Sequence, residues 1–375
     1  MKIMVIHLNN INLCPPAINL VENLVEHGHE VMLVSHNISE MKSIYTREPN
    51  FNFYDLGPYV IPDSKFKKYK LRYESRNRAR KFITTHIKEY DRVWTTSEIT
   101  VRDVGKILLN SNVKHILQLM ELTDYVPQIG NLRVLAFNIE EYAQKAYRVV
   151  VPEINRAHIV KVRWHLKDLP EILPNKPYTI DISEEGISQK AIEIINYLKN
   201  QKKKVILYQG GFTKDRKFDQ FAEAVKKLEQ DYVLCLMGKD NSYRKEICDK
   251  YPHVHYLGFL QPPEHLVIAK YAHIGILTYF PVKEAFYSDL NAVYCAPNKT
   301  FEYALCGLPM IGTNVPGLSE IFDKYQVGCC IRKDDKESVI EAIRYVEEKH
   351  DSMKSNCRQY FDSVNLDDIV ESIIE

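Results

Sequence analysis

No stretch of the 375-residue sequence approaches the roughly eighteen consecutive apolar residues that a bilayer-spanning helix needs. The opening residues, MKIMVIHLNN, hold one lysine and a short strand-like run with polar residues inside it. They lack the apolar core and cleavage site of a secretory signal, so a cytoplasmic location is expected. Neither sign of charge is in excess. Fifty Lys and Arg face 49 Asp and Glu, and 45% of residues are apolar. That balance excludes a disordered chain and argues against a strongly basic nucleic-acid binder. The eight cysteines form no C-x-x-C pair, and several interrupt apolar runs. This is the pattern of reduced, buried thiols, not of a disulfide framework or a zinc site. Adjacent Cys329 and Cys330 read as packing residues.

Catalytic signatures are missing too. No G-x-G-x-x-G follows the first strand-like run, which excludes the usual dinucleotide fingerprint. There is no G-x-x-x-x-G-K-[ST] phosphate loop and no G-x-S-x-G elbow, which removes P-loop enzymes and α/β-hydrolases. The thirteen histidines are scattered without H-E-x-x-H or other metal spacing. No metal or cofactor is expected.

What remains is a repeated strand–helix rhythm. Lys2 to Leu8 is a short apolar run. Pro15 and Pro16 stand where a helix begins, because its first turn needs no donor from them. Ala17, Leu20, Val21 and Leu24 recur at helical spacing, Gly28 stops the helix, and Val31 to Val34 is the next buried strand. Weaker strand signals follow at 51–56, 92–95, 115–119 and 149–151, which predicts one doubly wound α/β domain. LPEILPNKP (169–177), with three prolines in nine residues, reads as a connector, followed by a polar, lysine-rich stretch ending near Lys204. The rhythm then restarts. Val205–Tyr208, Tyr232–Met237, Val254–Leu257, Ile274–Tyr279 and Met310–Gly312 read as strands; 218–228, 301–306 and 339–346 read as helices. The expected domains are 1–180, 181–360, and a last segment, 361–375. A cleft between two domains is the natural place for a ligand.

Two stretches carry chemistry. In NAVYCAPNKTFEYALCGLPMIG (291–312), Pro297 bars a regular strand and Asn298 is a good N-cap, so a helix should begin at Lys299. A helix start carrying a lysine is an anion site. Glu302 lies one turn further in. A carboxylate there opposes a phosphate but would accept hydrogen bonds from the two hydroxyls of a ribose; otherwise it is simply a favourable acid near a helix start. The second stretch is Gln209-Gly210-Gly211-Phe212-Thr213. It lets backbone approach a ligand closely, with Arg216 and Lys217 following; otherwise it is a tight turn beside a solvated basic pair. Both stretches follow predicted strands of one domain, where open α/β sheets bind ligands, and together they suit a nucleoside diphosphate.

YQGG (208–211), the Arg216 region, LGFL (257–260) and PNKTFEYALCGLP (297–309) together resemble the C-terminal domain of GT-B glycosyltransferases. The likeness is greatest to glycosyltransferase family 4, in particular to bacterial members with a P-N-K-x-x-E-Y motif. It is strong over Val205–Gly328, whereas in the first half only the opening strand–helix–strand, LQLMEL and LPNKP carry it. The resemblance implies two Rossmann-like domains facing across a cleft, and a last helix around 364–374 returning to the first domain. It also implies metal-independent, retaining transfer of a sugar from a UDP- or GDP-linked donor to a glycan or lipid-linked acceptor.

Carried over residue by residue, Glu302 matches the ribose-binding glutamate of the family. The partner glutamate falls on Tyr294, and backbone near Cys295, Ala296 and Pro297 would replace it. Phe212 occupies the usual arginine position, with Arg216, Lys217 and Lys299 as replacements. Glu121 resembles the acid of a His-Glu pair whose histidine position holds Met120. The expected catalytic residues are therefore Arg216, Lys299 and Glu121. Expected donor contacts are Gly210, Gly211, Phe212, Gly238, Phe259, Cys295, Ala296, Pro297, Asn298, Thr300 and Glu302.

Finally, SKFKKYKLRYESRNRARKF (64–82) concentrates nine basic residues against Glu74 alone, with aromatics interleaved. Lys65–Lys81 would meet an anionic membrane surface or an anionic acceptor, or form a solvated helix face; nucleic acid fits less well, for want of a recognition motif. Two other readings of the chain stand beside the transferase: a GT-B nucleotide-sugar epimerase, and a non-catalytic nucleotide-sugar-binding partner of another transferase.

Overall fold

The computed structural model describes residues 1–41, 43–60, 64–128, 132–178, 182–213, 215–282 and 286–375. It divides into two compact units: Met1–Thr179 with Glu284–Ser288 and Asn365–Glu375, and Ile180–Lys283 with Asp289–Val364. The expected boundary at 180–181 lies outside the described residues.

The first unit is built on strands β1 (Lys2–Asn10), β2 (Glu30–His36), β3 (Phe51–Asp55), β4 (Arg92–Thr95), β5 (Lys114–Gln118), the short hairpin β6 (Val126–Pro127) and β7 (Ala136–Phe137), β8 (Arg148–Val151) and β9 (Glu171–Ile172). Seven of these form a parallel sheet in the order β3-β2-β1-β4-β5-β8-β9. β1 lies inside it between β2 and β4, and its Ile3, Met4, Val5 and Ile6 are fully buried, as a strand covered on both faces requires. The Pro15–Glu26 helix starts on its two prolines, and Gly28 takes φ +75° just past its end. The proline-rich connector holds a strand that its composition hides: β9 pairs with β8, and Leu173 N–H continues the ladder to Val151 O at 2.9 Å.

The last helix, Leu366–Ile374, belongs to this first unit and packs on the Pro15–Glu26 helix. It buries Leu366, Val370, Ile373 and Ile374. Polar contacts fix its register. Asn23 Nδ2 donates to Asp367 Oδ1 (2.8 Å), His29 Nε2 meets Glu371 Oε1 (2.7 Å), and Arg92 Nε donates to Ile374 O (2.6 Å).

The second unit carries β10 (Lys204–Gln209), β11 (Tyr232–Met237), β12 (His255–Gly258), β13 (Ile274–Leu277), β14 (Met310–Gly312) and β15 (Gly328–Cys330). They form a parallel sheet in the order β12-β11-β10-β13-β14-β15. Alternation along β10 sends Val205 and Leu207 to one core and Ile206 and Tyr208 to the other. The lysine-rich stretch before β10 contains a helix, Gln189–Lys199, whose Ala191, Ile194, Ile195 and Leu198 are buried. The order reverses between β10 and β13, and the crevice at the carboxyl ends of those strands is where such sheets take ligands.

All eight cysteines are free thiols. Burial pushes Cys329 and Cys330 each up to about 12. Among the described residues no helix is long and apolar enough to cross a membrane.

Candidate functional site

At the end of β10 the chain turns through Gly210 at φ +147°, a conformation that disfavours a side chain. Gly210 N–H donates to Met237 O and Gly238 N–H to Gly258 O, each at 2.9 Å, so three glycines stitch together the carboxyl ends of β10, β11 and β12. The fit is close. A Cβ on Gly238 would lie 1.9 Å from Gly210 O. Gly211 is exposed, with open space around its Cα.

Lys299 comes over this turn from the Asn298–Leu305 helix. A Cβ on Gly210 would stand 2.6 Å from its Cε and 2.9 Å from its Nζ. Burial pushes the ammonium down to about 8 against the attraction of Glu302, with Arg216 pushing the same way as burial. Lys299 makes no hydrogen bond or ion pair among the described residues, so its charge is held ready but unpaired.

The helix begins one residue earlier than the sequence suggests. Pro297, extended at φ −74° and ψ 135°, precedes it, and the Asn298 side chain does not cap. Thr300 does the local work instead: its N–H and hydroxyl both donate to Pro297 O, at 3.2 and 3.0 Å. Thr300 is buried and also accepts from Tyr360 Oη at 3.2 Å.

Glu302, 6% exposed, lies 3.6 Å from His265 Nε2 through its Oε1. Burial pushes its pKa up, but His265 and Lys299 outweigh that and hold the carboxyl below its ordinary value. His265 is fixed in turn by its carbonyl, which accepts from the buried Gln209 Nε2 at 2.6 Å.

Arg216 stacks on the Tyr279 ring at 3.8 Å and pairs with its neighbour Asp215. Lys217 is exposed, 5.0 Å from the Phe280 ring. Phe212 is 2% exposed and sits among Tyr208, Phe218 and Tyr256, with centroids 6.0–6.1 Å away. Its side chain is part of the core; its carbonyl accepts from Asn241 Nδ2 at 2.7 Å. Cys295 is buried with its backbone against the start of the Pro316–Tyr325 helix, since a Cβ on Gly317 would meet Cys295 O at 2.4 Å. Ala296 and Phe259 are half-buried, Phe259 directly after Gly258 at φ +92°.

Glu121 lies in the other unit, after β5, with its Oε2 3.8 Å from Arg156 Nη1. Near it sequence reasoning missed Glu98. Its carboxyl is 3% exposed and pushed up to about 7 by burial, with Glu121 adding to the effect. Sequence reasoning likewise missed His265, Tyr279 and Asp215. Only the fold brings His265 to Glu302, and no fixed spacing marks the pair. Among the described residues no group of three or more His, Cys, Asp or Glu is placed to hold a metal ion.

Residues 203–348 match the family profile described as glycosyl transferases group 1. No curated protein sequence matches the chain. Solved structures similar in fold include the sucrose-phosphate synthase (tll1590) of Thermosynechococcus elongatus, at TM-score 0.70 and 16% identity, covering 99% of this chain and 97% of that one. Anabaena Alr3699/HepE, crystallised with UDP-glucose, aligns at TM-score 0.65 and 12% identity over 100% and 98% of the two chains. A putative UDP-N-acetylglucosamine 2-epimerase from Listeria monocytogenes aligns at TM-score 0.61 and 11% identity over 100% and 94%. The chain thus has the GT-B fold, two Rossmann-like domains, and its residues 203–348 match the glycosyl transferases group 1 profile.

Proposed function

We propose that the chain is a retaining, metal-independent glycosyltransferase that uses a UDP- or GDP-linked sugar. The observation that carries this reading is the unpaired Lys299 ammonium lying on the Gly210 turn, one helical turn before the buried Glu302. The cation and the backbone N–H groups that follow Gly210 suit a diphosphate; the carboxylate suits a ribose diol.

Breaking the anomeric bond leaves negative charge on the diphosphate. Lys299 and Arg216 would stabilise that charge, which is electrostatic catalysis by preorganised donors. Return of the acceptor oxygen on the same face would retain configuration, with the leaving phosphate accepting the acceptor's proton. Gly238, Phe259 and the backbone from Cys295 to Asn298 would line the donor site, and Glu121 would act from the acceptor side. The placement in family 4 rests on the Pro297–Tyr303 motif.

The proposed setting is bacterial surface polysaccharide synthesis at the cytoplasmic face of the inner membrane, on a glycan or lipid-linked acceptor. The Lys65–His86 helix supports it. Lys67, Lys68 and Lys70 are exposed there beside Tyr69, Leu71 and Tyr73, which are 50%, 45% and 57% exposed. Basic residues near an anionic surface contribute about 1 kcal/mol each.

Turnover of nucleotide sugars by purified Glu302→Ala and Lys299→Ala chains tests the assignment, and near-native rates in both would remove it. A panel of nucleotide sugars in a thermal-shift assay would identify the donor, because a ligand that binds the folded chain raises its melting temperature. An epimerase has the same fold in a solved relative; conversion of the sugar without any acceptor would favour that reading. Binding without turnover on any acceptor would favour a non-catalytic partner.

A further inference from the structure

On the Lys65–His86 helix, Arg72, Arg76 and Arg80 recur every fourth residue and stand one above another. They face the Glu98–Val104 helix, which presents Arg102 and the buried Asp103. Arg102 grips the Asp103 carboxylate through Nε and Nη2, at 2.9 and 3.1 Å. Arg72 Nη2 approaches it from the other helix at 3.2 Å, and Arg80 Nε donates to Asp103 O at 2.7 Å. Arg76 lies 5.6 Å from the Tyr73 ring, and its Nε is buried without a partner. Arg102 and Arg72 both pair with this carboxylate, so four guanidiniums gather where there is one carboxylate's worth of negative charge. Asp103 is the one acid paired with them among the described residues.

Structural salt bridging does not account for this surplus. Repulsion from Arg76 joins burial in lowering the Arg80 pKa, against the attraction of Asp103. Arg72 is 43% exposed, which opens the stripe to solvent at its outer end, in line with the exposed Lys68 one turn before it. Guanidinium forks match the oxygens of a phosphate in geometry and in charge.

We propose that the Arg72–Arg76–Arg80 stripe is a binding site for a phosphate or pyrophosphate group. As the place where a phosphate-bearing acceptor docks, it depends on the transferase reading above; as an anion site it stands without it.

The test is calorimetric titration of inorganic pyrophosphate into the full chain, in a Lys299→Ala background so that the glycine turn of the second unit does not contribute. Binding is expected to weaken at least about tenfold in Arg72→Gln/Arg76→Gln and to weaken partly in Arg76→Lys, which keeps the charge and loses the fork. Lys88→Gln/Lys167→Gln removes two exposed charges elsewhere and should bind as the parent does. Circular dichroism and melting of each variant establish that it is folded. No binding to the parent, or equal binding by all variants, overturns the proposal. Vesicles with and without phosphatidic acid separate the sources. Vesicle binding that pyrophosphate displaces and the double arginine variant loses assigns the site to a lipid phosphate. Vesicle binding that survives in that variant, with no pyrophosphate binding, overturns the site in favour of diffuse attraction by the exposed lysines. Pyrophosphate binding that persists while UDP binds no better to the Lys299 parent than to Lys299→Ala would sink the donor-site reading and leave this one intact.

Discussion

The ammonium of Lys299 rests on Gly210, in the space that any larger residue at 210 would occupy. A cation from a helix start and a turn of bare backbone thereby meet at the reversal point of the second sheet, where the proposed diphosphate would sit.

Gly210→Ala should therefore reduce nucleotide affinity at least about tenfold, by displacing Lys299. It should also cost about 1–2 kcal/mol of stability, because alanine disfavours the φ of +147° found there. Gly211→Ala meets open space in the free protein and should leave its stability nearly unchanged. Isothermal titration with UDP and GDP, together with urea melts of the two variants, checks the contrast.

The depressed pKa of Lys299, about 8, gives donor binding a pH dependence. A diphosphate prefers the ammonium form. Affinity should be flat below pH 8 and then fall up to about tenfold per pH unit as the free enzyme loses that proton. Lys299→Arg keeps its charge and should abolish the fall. For stability the sign is opposite. The unfolded lysine holds its proton to higher pH, so this residue's contribution to stability rises between pH 8 and its ordinary value of 10.5. UDP titrations from pH 6.5 to 9.5 would show the first effect, and denaturant melts over a higher range the second.

Phe212→Arg puts back the residue type usual at this position of the resembled family. Here the position is 2% exposed among aromatic rings. The substitution should cost several kcal/mol through burial of an unpaired charge and should not raise nucleotide affinity. A well-folded Phe212→Arg chain with tighter UDP binding would contradict the core role assigned to this ring.

Removal of residues 365–375 should destabilise the first unit selectively. The deletion exposes the surfaces that Leu366, Val370, Ile373 and Ile374 cover, each worth about 1.5–3 kcal/mol of burial, and removes the partners of Asn23, His29 and Arg92. A drop of more than about 5 °C in one calorimetric transition, with the other unchanged, is the expected result.

Much of the fold was legible in the residue pattern. Parallel strands buried on both faces write themselves as unbroken apolar runs, so Tyr232–Met237 and Met310–Gly312 were placed residue for residue. β9 escaped because a two-residue strand inside a proline-rich segment has no periodicity to detect, and the Gln189–Lys199 helix was masked by the lysines around it. Within the site, the glycine turn and Lys299 were each visible as local motifs. Their contact was not, because it depends on where the helix of one crossover meets the end of a strand far away in the chain.

The sequence by itself thus determined the strand–helix rhythm, the two-domain fold class and the residue types on which the proposed diphosphate and ribose contacts rest. Tertiary structure alone decided that His265 turns toward Glu302, that Phe212 is a core ring, and that Arg72, Arg80 and Arg102 all bond to Asp103. The reason is physical. Periodicity and capping act between residues a few positions apart, while charge pairing and close packing act through space and take shape only once the sheets have set the helices in place.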